Sequence, residues 1–223
     1  YQRELVRRCQ VEGFGDVRAG VPIVVIFKDF KKYYFLDLLI NSAGVYELKT
    51  VAKLDTEHQR QILNYLFLLG LSYGKLINFR PSSVEYRFVT TTVETQDRFQ
   101  FAIDDSNWIN LEPESAWLKE TIIELLQEWG AYLDTSVFYQ AIIFFRGGEE
   151  NVVQHVGVYS GTVELGVQRM NLLTPKIAFK LSSIRNDLAY YERHLSRCLH
   201  HTDLEAIQWI NFNRKTITFK TIK

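Results

Sequence analysis

Residues 33–50 read YYFLDLLINSAGVYELKT, and this stretch decides how the first part of the chain is expected to fold. Two apolar runs flank residues 41–44, which favour a turn. They predict two strands, over 33–41 and 44–51, that pair as a hairpin. An acid, Asp37, lies inside the first run, where a carboxylate is costly unless it is paired or binds a metal.

The hairpin lies within a longer alternation of helices and strands. Periodicity predicts a helix over about 1–12 and a strand over 23–27, then the hairpin, a helix from Asp55 or Thr56 to about Leu71, and strands over 75–79 and 84–89. This order, α-β-β-β-α-β-β, predicts a mixed sheet with helices packed against it, in the α/β (α+β) class.

The remaining chain is expected to form a second domain. Residues 91–112 are mostly polar and lack a sustained period, so they are interpreted as a connector between domains at 1–90 and 113–223. Pro113 suits the first position of a helix that runs to about Leu133. The apolar run 137–145 could be helix or strand. Strands at 152–159, 164–173 and 177–181, a helix at 184–199, and strands at 206–212 and 216–222 follow.

The second half repeats the element order of the first. A shift of 133 residues aligns 45–89 with 178–222, and seven of the 45 aligned positions are identical. Identity this low carries little weight, but the order strand, helix, strand, strand matches in step over the whole window. This indicates duplication of one folding unit.

Composition narrows the class of protein. Two cysteines, Cys9 and Cys198, offer no disulfide framework and suit a reducing, cytoplasmic location. No apolar run approaches the roughly 20 residues that span a bilayer. Residues 1–90 hold 13 Lys+Arg against 9 Asp+Glu, a net charge of +4, and the rest holds 13 against 17, a net of −4. Such asymmetry is expected if only the front half meets phosphate, although chance segregation explains it equally well.

The second strand of the hairpin carries the residues for chemistry. Glu47 and Lys49 are two positions apart, so their side chains share one face of the strand. Pairing across the turn brings Asp37 close to Glu47. Two carboxylates and the main-chain carbonyl of Leu48 would form an open, oxygen-rich site suited to a hard cation such as Mg²⁺.

The following helix offers His58, Gln61 and Tyr65 on one face. Together with Asp37 and Glu47-Leu-Lys49, the segment Gln61-Ile-Leu-Asn-Tyr65 resembles the acid, E-x-K and Q-x-x-x-Y motifs of RecB-like members of the PD-(D/E)XK nuclease superfamily. Residues 1–5 and 74–79 further resemble small bacterial proteins called GxxExxY proteins. The resemblance covers about residues 1–89.

The resemblance implies a restriction-endonuclease-like core that hydrolyses phosphodiester bonds of nucleic acid, with DNA the expected substrate. Asp37, Glu47 and the Leu48 carbonyl would hold Mg²⁺ or Mn²⁺. Lys49 would activate the attacking water, Gln61 would position that water or Lys49, and Tyr65 would brace the helix or touch phosphate. The candidates for holding the nucleic-acid backbone are Arg7, Arg8, Lys28, Lys31, Lys32 and Arg80.

The repeat is expected to be a degenerate lobe. Lys180 and Ser182 stand in place of Glu47 and Lys49, His194 and Cys198 in place of Gln61 and Tyr65, and Asn171 or Met170 near the position of Asp37. Two alternatives stay open. Asp37, Glu47 and Lys49 could form only a salt-bridged cluster, and the protein could be an inactive nuclease-fold subunit for nucleic-acid binding or assembly. Association into a homo-oligomer is also open.

Overall fold

Two mixed β-sheets organise the chain, as a computed structural model describing residues 1–223 shows. The sheets belong to two units, Tyr1–Arg98 and Phe99–Lys223. The first sheet has five strands and the second has six, and helices accompany both. This confirms the α/β fold class predicted from the sequence. None of the helices is long and apolar enough to cross a membrane.

The first unit follows the predicted order α-β-β-β-α-β-β. Its sheet runs β1-β2-β3-β4-β5, with antiparallel neighbours except for the parallel pair β3 and β4. A 3₁₀ turn over Gln96–Phe99 spans the boundary to the second unit. The bounds are α1 Gln2–Val11, β1 Val17–Phe27, β2 Phe30–Ile40, β3 Gly44–Lys49, α2 Thr56–Leu69, β4 Tyr73–Asn78 and β5 Glu85–Thr90.

Helix α2 is fixed at both ends and along one face. The Asp55 carboxylate accepts hydrogen bonds from two N–H groups of the first turn, which would otherwise lack partners. Gly70 ends the helix with φ 65°, a left-handed conformation that glycine adopts without strain. Ile62 and Leu66 are fully buried against the sheet. This packing places Gln61 beside strand β3.

The second unit contains a six-stranded sheet in the order β6-β11-β10-β9-β8-β7. Only β9–β10 and β6–β11 are parallel pairs. The bounds are β6 Ala102–Asn107, α3 Pro113–Trp129, α4 Thr135–Phe145, α5 Glu149–Val152, β7 Val153–Ser160, β8 Val163–Thr174, β9 Ile177–Ser182, α6 Leu188–His200, β10 Ala206–Asn213 and β11 Thr216–Ile222.

The interpretation of 91–112 as a connector was wrong for residues 102–107. They form β6, which pairs with β11 from Ala102 opposite Thr216 onward. All six side chains of β6 are exposed, so the strand has no apolar alternation to reveal it. These residues form a strand because their backbone groups pair with β11, more than 100 residues away along the chain. The boundary between the units accordingly lies at Arg98 and Phe99, ahead of the predicted domain start at 113.

The run 137–145, which periodicity left unassigned, lies in helix α4. Asp134 precedes the helix, and its carboxylate accepts a hydrogen bond from the N–H of Ser136. Val137, Phe138 and Ala141 are buried on one side of the helix. The local cap and the length of 11 residues therefore favour the helical alternative.

Five strands of the second sheet, β7 to β11, follow the strand order of the first sheet, and the central strands of the two sheets share one register. The β3–β4 pairs run from Gly44 opposite Tyr73 to Lys49 opposite Asn78. Adding 133 to each number gives the β9–β10 pairs, from Ile177 opposite Ala206 to Ser182 opposite Asn211. The same shift relates the β4–β5 pairs to the β10–β11 pairs. Duplication as the origin of this likeness stays a prediction.

A buried asparagine makes the same contact in each unit. The Asn78 side chain accepts from the N–H of Val51 (3.1 Å) and donates to its carbonyl oxygen (2.8 Å). Asn211 binds the N–H (2.8 Å) and carbonyl (2.9 Å) of Ile184 in the same way. This two-point contact, here called the asparagine clasp, holds the chain where it leaves β3 or β9.

Candidate active site

Asp37 is fixed between α1 and β3. Its Oδ2 accepts a hydrogen bond from the backbone N–H of Leu48 (2.7 Å), and its own carbonyl accepts one from the Gln2 side chain (2.6 Å). The N–H and C=O of a strand residue face the same neighbouring strand. The Leu48 carbonyl therefore lies on the side of β3 that carries the Asp37 carboxylate.

Glu47 is a buried carboxylate with one satisfied and one unsatisfied oxygen. The residue is 4% exposed. Its Oε1 accepts from Lys49 Nζ (2.9 Å) and from Gln61 Nε2 (2.8 Å). Its Oε2 is buried and has no hydrogen-bond partner. A buried carboxylate oxygen without a partner is costly, so this atom calls for a cation or a proton.

Gln61 ties Lys49 to Glu47 in a closed ring of hydrogen bonds. Lys49 Nζ donates to Gln61 Oε1 (2.7 Å), while Gln61 Nε2 donates both to Glu47 and to Tyr65 Oη (2.8 Å). The side chain of Lys49 retains 18% exposure, so the ammonium group is held but reachable from solvent. The structure thus brings together four of the five side chains expected in the site, with Asp37 alongside through Leu48.

The electrostatics of the site are those of a buried carboxylate whose ion pair with Lys49 offsets its burial only in part. Burial raises the pKa of Glu47, the hydrogen bond from Lys49 lowers it, and the nearby charge of Asp37 raises it; the net direction is upward. Burial likewise raises the pKa of the Tyr65 hydroxyl. A divalent cation between Asp37 and Glu47 would favour the ionised form of Glu47 and reverse this tendency.

The donor set fits a hard divalent cation. Asp37 and Glu47 supply carboxylate oxygens, and the unpartnered Oε2 of Glu47 is free to coordinate. No group of three or more His, Cys, Asp or Glu side chains suited to a metal occurs in the chain. The remaining ligands would be the Leu48 carbonyl and water, which suits Mg²⁺ because it keeps several waters when bound.

Five of the six basic candidates lie away from this site or bind other groups. Arg7 and Arg8 are exposed on α1, and both bind Glu4. The hydrogen bonds from the two arginines lower the pKa of the Glu4 carboxyl to about 2. Lys28, Lys31 and Lys32 lie at the β1–β2 turn. Lys31 is six positions from Asp37 along β2, about 20 Å at 3.3 Å per residue.

Arg80 is the basic candidate that lies at the same end of the sheet as the site. Strands β3 and β4 are parallel, so Lys49, the last residue of β3, and Arg80, which follows β4, both lie at the carboxyl ends of their strands. The N–H of Phe79 donates to the carbonyl of Lys49 (2.9 Å), which fixes the segment leading to Arg80. Of the six basic candidates, Arg80 is therefore the one whose place in the first sheet brings it near Lys49.

Gln2 is a contributor that the motifs did not reveal. It belongs to residues 1–5, for which the sequence showed only a similarity to GxxExxY proteins. Its contact is to the main chain of Asp37 rather than to a motif side chain. His58, which shares a helix face with Gln61, instead completes the cap of α2 by accepting from the N–H of Asp55 (3.2 Å). It is therefore part of the helix start.

The corresponding position in the second unit has a different chemistry. Asn171 opposite Phe179 matches Leu38 opposite Tyr46, so the register sets Met170, not Asn171, in the place of Asp37. Lys180 then takes the place of Glu47. Ser182, in the place of Lys49, is buried and bound to Asn211 (2.8 Å) and Trp209 (2.8 Å). The acid pair is absent there, and no lysine occupies the position of Lys49.

Comparison with known proteins gives one family. The family model of the PD-(D/E)XK nuclease superfamily matches residues 1–89. No curated protein matches the chain. The solved structure of SSO0001 is 18% identical with a TM-score of 0.35, and the match covers 43% of this chain and 50% of that one. Residues 1–89, which contain Asp37, Glu47, Lys49, Gln61 and Tyr65, are thus the part of the chain that matches the PD-(D/E)XK nuclease superfamily.

Proposed function

We propose that the first unit is a divalent-metal-dependent nuclease that hydrolyses phosphodiester bonds, with DNA as its preferred substrate. The match of residues 1–89 to the nuclease superfamily suggests a nuclease-like function. The observation that carries the proposal is the unpartnered, buried Oε2 of Glu47 next to Asp37, with the Lys49 amine alongside. A salt-bridged cluster with no other role would not need to leave that oxygen without a partner.

Asp37, Glu47 and the Leu48 carbonyl would hold Mg²⁺ or Mn²⁺. When bound, such an ion polarises a phosphate oxygen and lowers the pKa of a coordinated water. The hydrogen bond from the Leu48 N–H orients the Asp37 carboxylate in advance. Pre-orientation matters because a site that must rearrange to bind the ion loses part of the binding energy.

Lys49 is the proposed catalytic cation. Glu47 and Gln61 hold its ammonium group from two sides, which limits the rotamers that a lysine otherwise samples. From there it would orient the attacking water and offset the negative charge that builds on the phosphorus oxygens in the transition state. Gln61 is a positioning residue in this scheme, and Tyr65 fixes Gln61 through the hydrogen bond at 2.8 Å.

Nucleic acid would approach from the end of the sheet where Arg80 lies. Arg7, Arg8, Lys28, Lys31 and Lys32 would contact backbone phosphates farther from the reaction, in which case binding weakens as salt rises. We further propose a relationship to RecB-like nucleases and GxxExxY proteins, and a cytoplasmic location. Whether the protein acts as a homo-oligomer is a matter for direct measurement.

A substrate panel tests the proposal. The full chain is incubated with single- and double-stranded DNA and RNA in Mg²⁺, in Mn²⁺ and in EDTA. We expect metal-dependent cleavage by the wild type and none by Glu47→Gln, which keeps the shape of the side chain but removes its charge. Glu57→Gln is the matched control, since Glu57 is exposed in the first turn of α2. Equal cleavage by Glu47→Gln and the wild type would refute the proposal.

Calorimetry with Mn²⁺ separates the enzyme from an inactive nucleic-acid-binding subunit. One observation favours the second function: Lys49 already occupies one oxygen of Glu47 as an internal counter-charge. If the wild type binds labelled DNA but takes up no Mn²⁺, the ion pair has replaced the metal and the subunit is the better description. Mn²⁺ uptake that Glu47→Gln abolishes would support the enzyme.

A further inference from the structure

The second unit contains a cavity at the position that corresponds to the candidate active site. Its volume is about 110 Å³. It is lined by the counterparts of Asp37, Glu47, Gln61 and Tyr65, which are Met170, Lys180, His194 and Cys198. The position that holds the site motif in the first unit is therefore an opening, not a filled core, in the second.

The charge of this cavity is opposite to that of the site in the first unit. No Asp or Glu lines it, whereas Arg169, Lys180 and His194 do. Arg169 is paired with Glu149, so its charge is partly offset. Lys180 is exposed and makes no hydrogen bond or ion pair. Its ammonium group is thus the available charge, and a cation could not be held there.

We propose that this cavity binds a phosphate group without a metal ion, with Lys180 supplying the positive charge. Lysine is a common phosphate ligand because its ammonium group acts as a compact point charge. Gln168, which shares a face of β8 with Met170, borders the cavity and offers amide N–H donors for the remaining phosphate oxygens. The register places the Lys180 side chain where Glu47 of the first unit faces its proposed metal ion.

The dimensions favour a single phosphate over a larger ligand. Sites for drug-sized molecules run to about 300–1,000 Å³, several times the 110 Å³ of this cavity. Apolar side chains such as Leu195 and Ile207 form other parts of the lining. These apolar side chains would exclude water from part of the cavity. A charge-assisted hydrogen bond from Lys180 is stronger where water competes less.

Two sources could supply the phosphate: free inorganic phosphate, or the backbone of a nucleic acid bound by the whole protein. Only the second rests on the proposed function of the first unit. Both share the chemistry of a tetrahedral, negatively charged oxygen cluster recognised by one ammonium group and neutral donors. The experiment therefore carries one arm for each source and is done in EDTA, so that neither cleavage nor a metal in the first unit contributes.

Cys198 gives a direct readout because it lines the cavity and is half-buried. Its Sγ lies 3.8 Å from Gln168 Oε1, and burial raises the pKa of the thiol, so labelling is run at mildly alkaline pH. The full chain is treated with iodoacetamide, and modification of Cys198 is followed by mass spectrometry. Cys9 is buried in the first unit and serves as the internal reference.

We expect inorganic phosphate, compared with chloride at equal ionic strength, to slow labelling of Cys198 in the wild type. Lys180→Ala should need about tenfold more phosphate for the same protection, since one charge-assisted hydrogen bond is lost. Lys180→Arg should retain protection. Lys176→Ala is the matched control, because it removes the same charge just before β9 begins, outside the lining of this cavity.

The oligonucleotide arm uses single-stranded and duplex DNA of equal length. Protection by DNA that Lys180→Ala weakens would identify backbone phosphate as a ligand. Protection by inorganic phosphate alone would support the site and restrict it to the free ion. Labelling that neither compound slows, or slowing that is identical in Lys180→Ala, would overturn the proposal. Failure of the nuclease assay would leave all of these outcomes readable, because no step here needs cleavage.

Discussion

The two units share the register of their central strands and differ in the chemistry they place on it. In the first, β3 carries Glu47 with a buried oxygen that lacks a partner. In the second, the same register position carries Lys180 at the mouth of a cavity without carboxylates. The asparagine clasp, by contrast, is the same in both. The side chain that satisfies buried backbone groups is thus the same in both units, whereas the charge at the matching register position is of opposite sign.

The largest expected effect is on cleavage. Lys49→Ala should lower the single-turnover rate at saturating substrate at least about 100-fold, comparable with removal of one oriented donor from a transition-state site. Mn²⁺ binding should persist, because Asp37 and Glu47 are unchanged. The rate is measured by rapid quench and metal binding by calorimetry.

Lys180→Ala is the comparison in the other unit. At saturating substrate it should leave the single-turnover rate unchanged, since the residue does not contact the reacting phosphate in this scheme. A comparable loss of rate in both variants would show that the second unit takes part in the chemistry, and the contrast drawn between the units would be wrong.

The next effect is on stability. Asn78→Ala and Asn211→Ala should each lower the free energy of unfolding by about 1–3 kcal/mol, because each leaves a backbone N–H and C=O without their partner. All four tryptophans lie in the second unit. Tryptophan fluorescence in a denaturant titration should therefore report Asn211→Ala, while far-UV circular dichroism should detect both. If the asparagine clasp stabilises only one unit, only the variant in that unit should lower the free energy of unfolding.

The smallest effect is a pH dependence confined to the first unit. The folded pKa of Glu47 is raised above its ordinary value of 4.5, so the folded state holds a proton that the unfolded state releases. Stability is then highest below the unfolded pKa and falls as pH rises through the folded pKa. Glu47→Gln should flatten this slope, and Mn²⁺ should reverse it in the wild type.

Thermal melts from pH 4 to pH 8 in EDTA check the sign. The melting temperature followed by tryptophan fluorescence reports the second unit, which holds all four tryptophans. Its dependence on pH should be the same in Glu47→Gln and in the wild type. A wild-type stability that rises between pH 4 and pH 8, with a rise that Glu47→Gln removes, would contradict the raised pKa of Glu47.

Much of the first unit could be predicted because its signals are local. The turn at 41–44, the cap at Asp55 and the apolar face of α2 each act over a few residues, and all were found where expected. Strand β1 began six residues earlier than the predicted start at 23, at Val17. Residues 17–22 carry Arg18 and Gly20, and only their pairing with β2 makes them a strand.

The grouping of the proposed site residues could be predicted where geometry follows from one strand or one helix. Glu47 and Lys49 share a face of β3, and Gln61 and Tyr65 share a face of α2, as spacing alone requires. The contact from Gln2 and the positions of the basic residues depend on how separate elements pack, so spacing did not reveal them. The exposed strand β6 was missed for the same reason, since its partner is at the other end of the chain.

Strand β6 has a practical consequence for dividing the protein. A recombinant fragment that starts at Pro113, as the sequence alone would recommend, removes this strand and leaves the last strand, β11, with an open row of amide and carbonyl groups. Such rows are templates for aggregation. A fragment that starts near Phe99 keeps β11 paired. The solubility of the shorter fragment should therefore be the first sign of what the six exposed residues of β6 contribute.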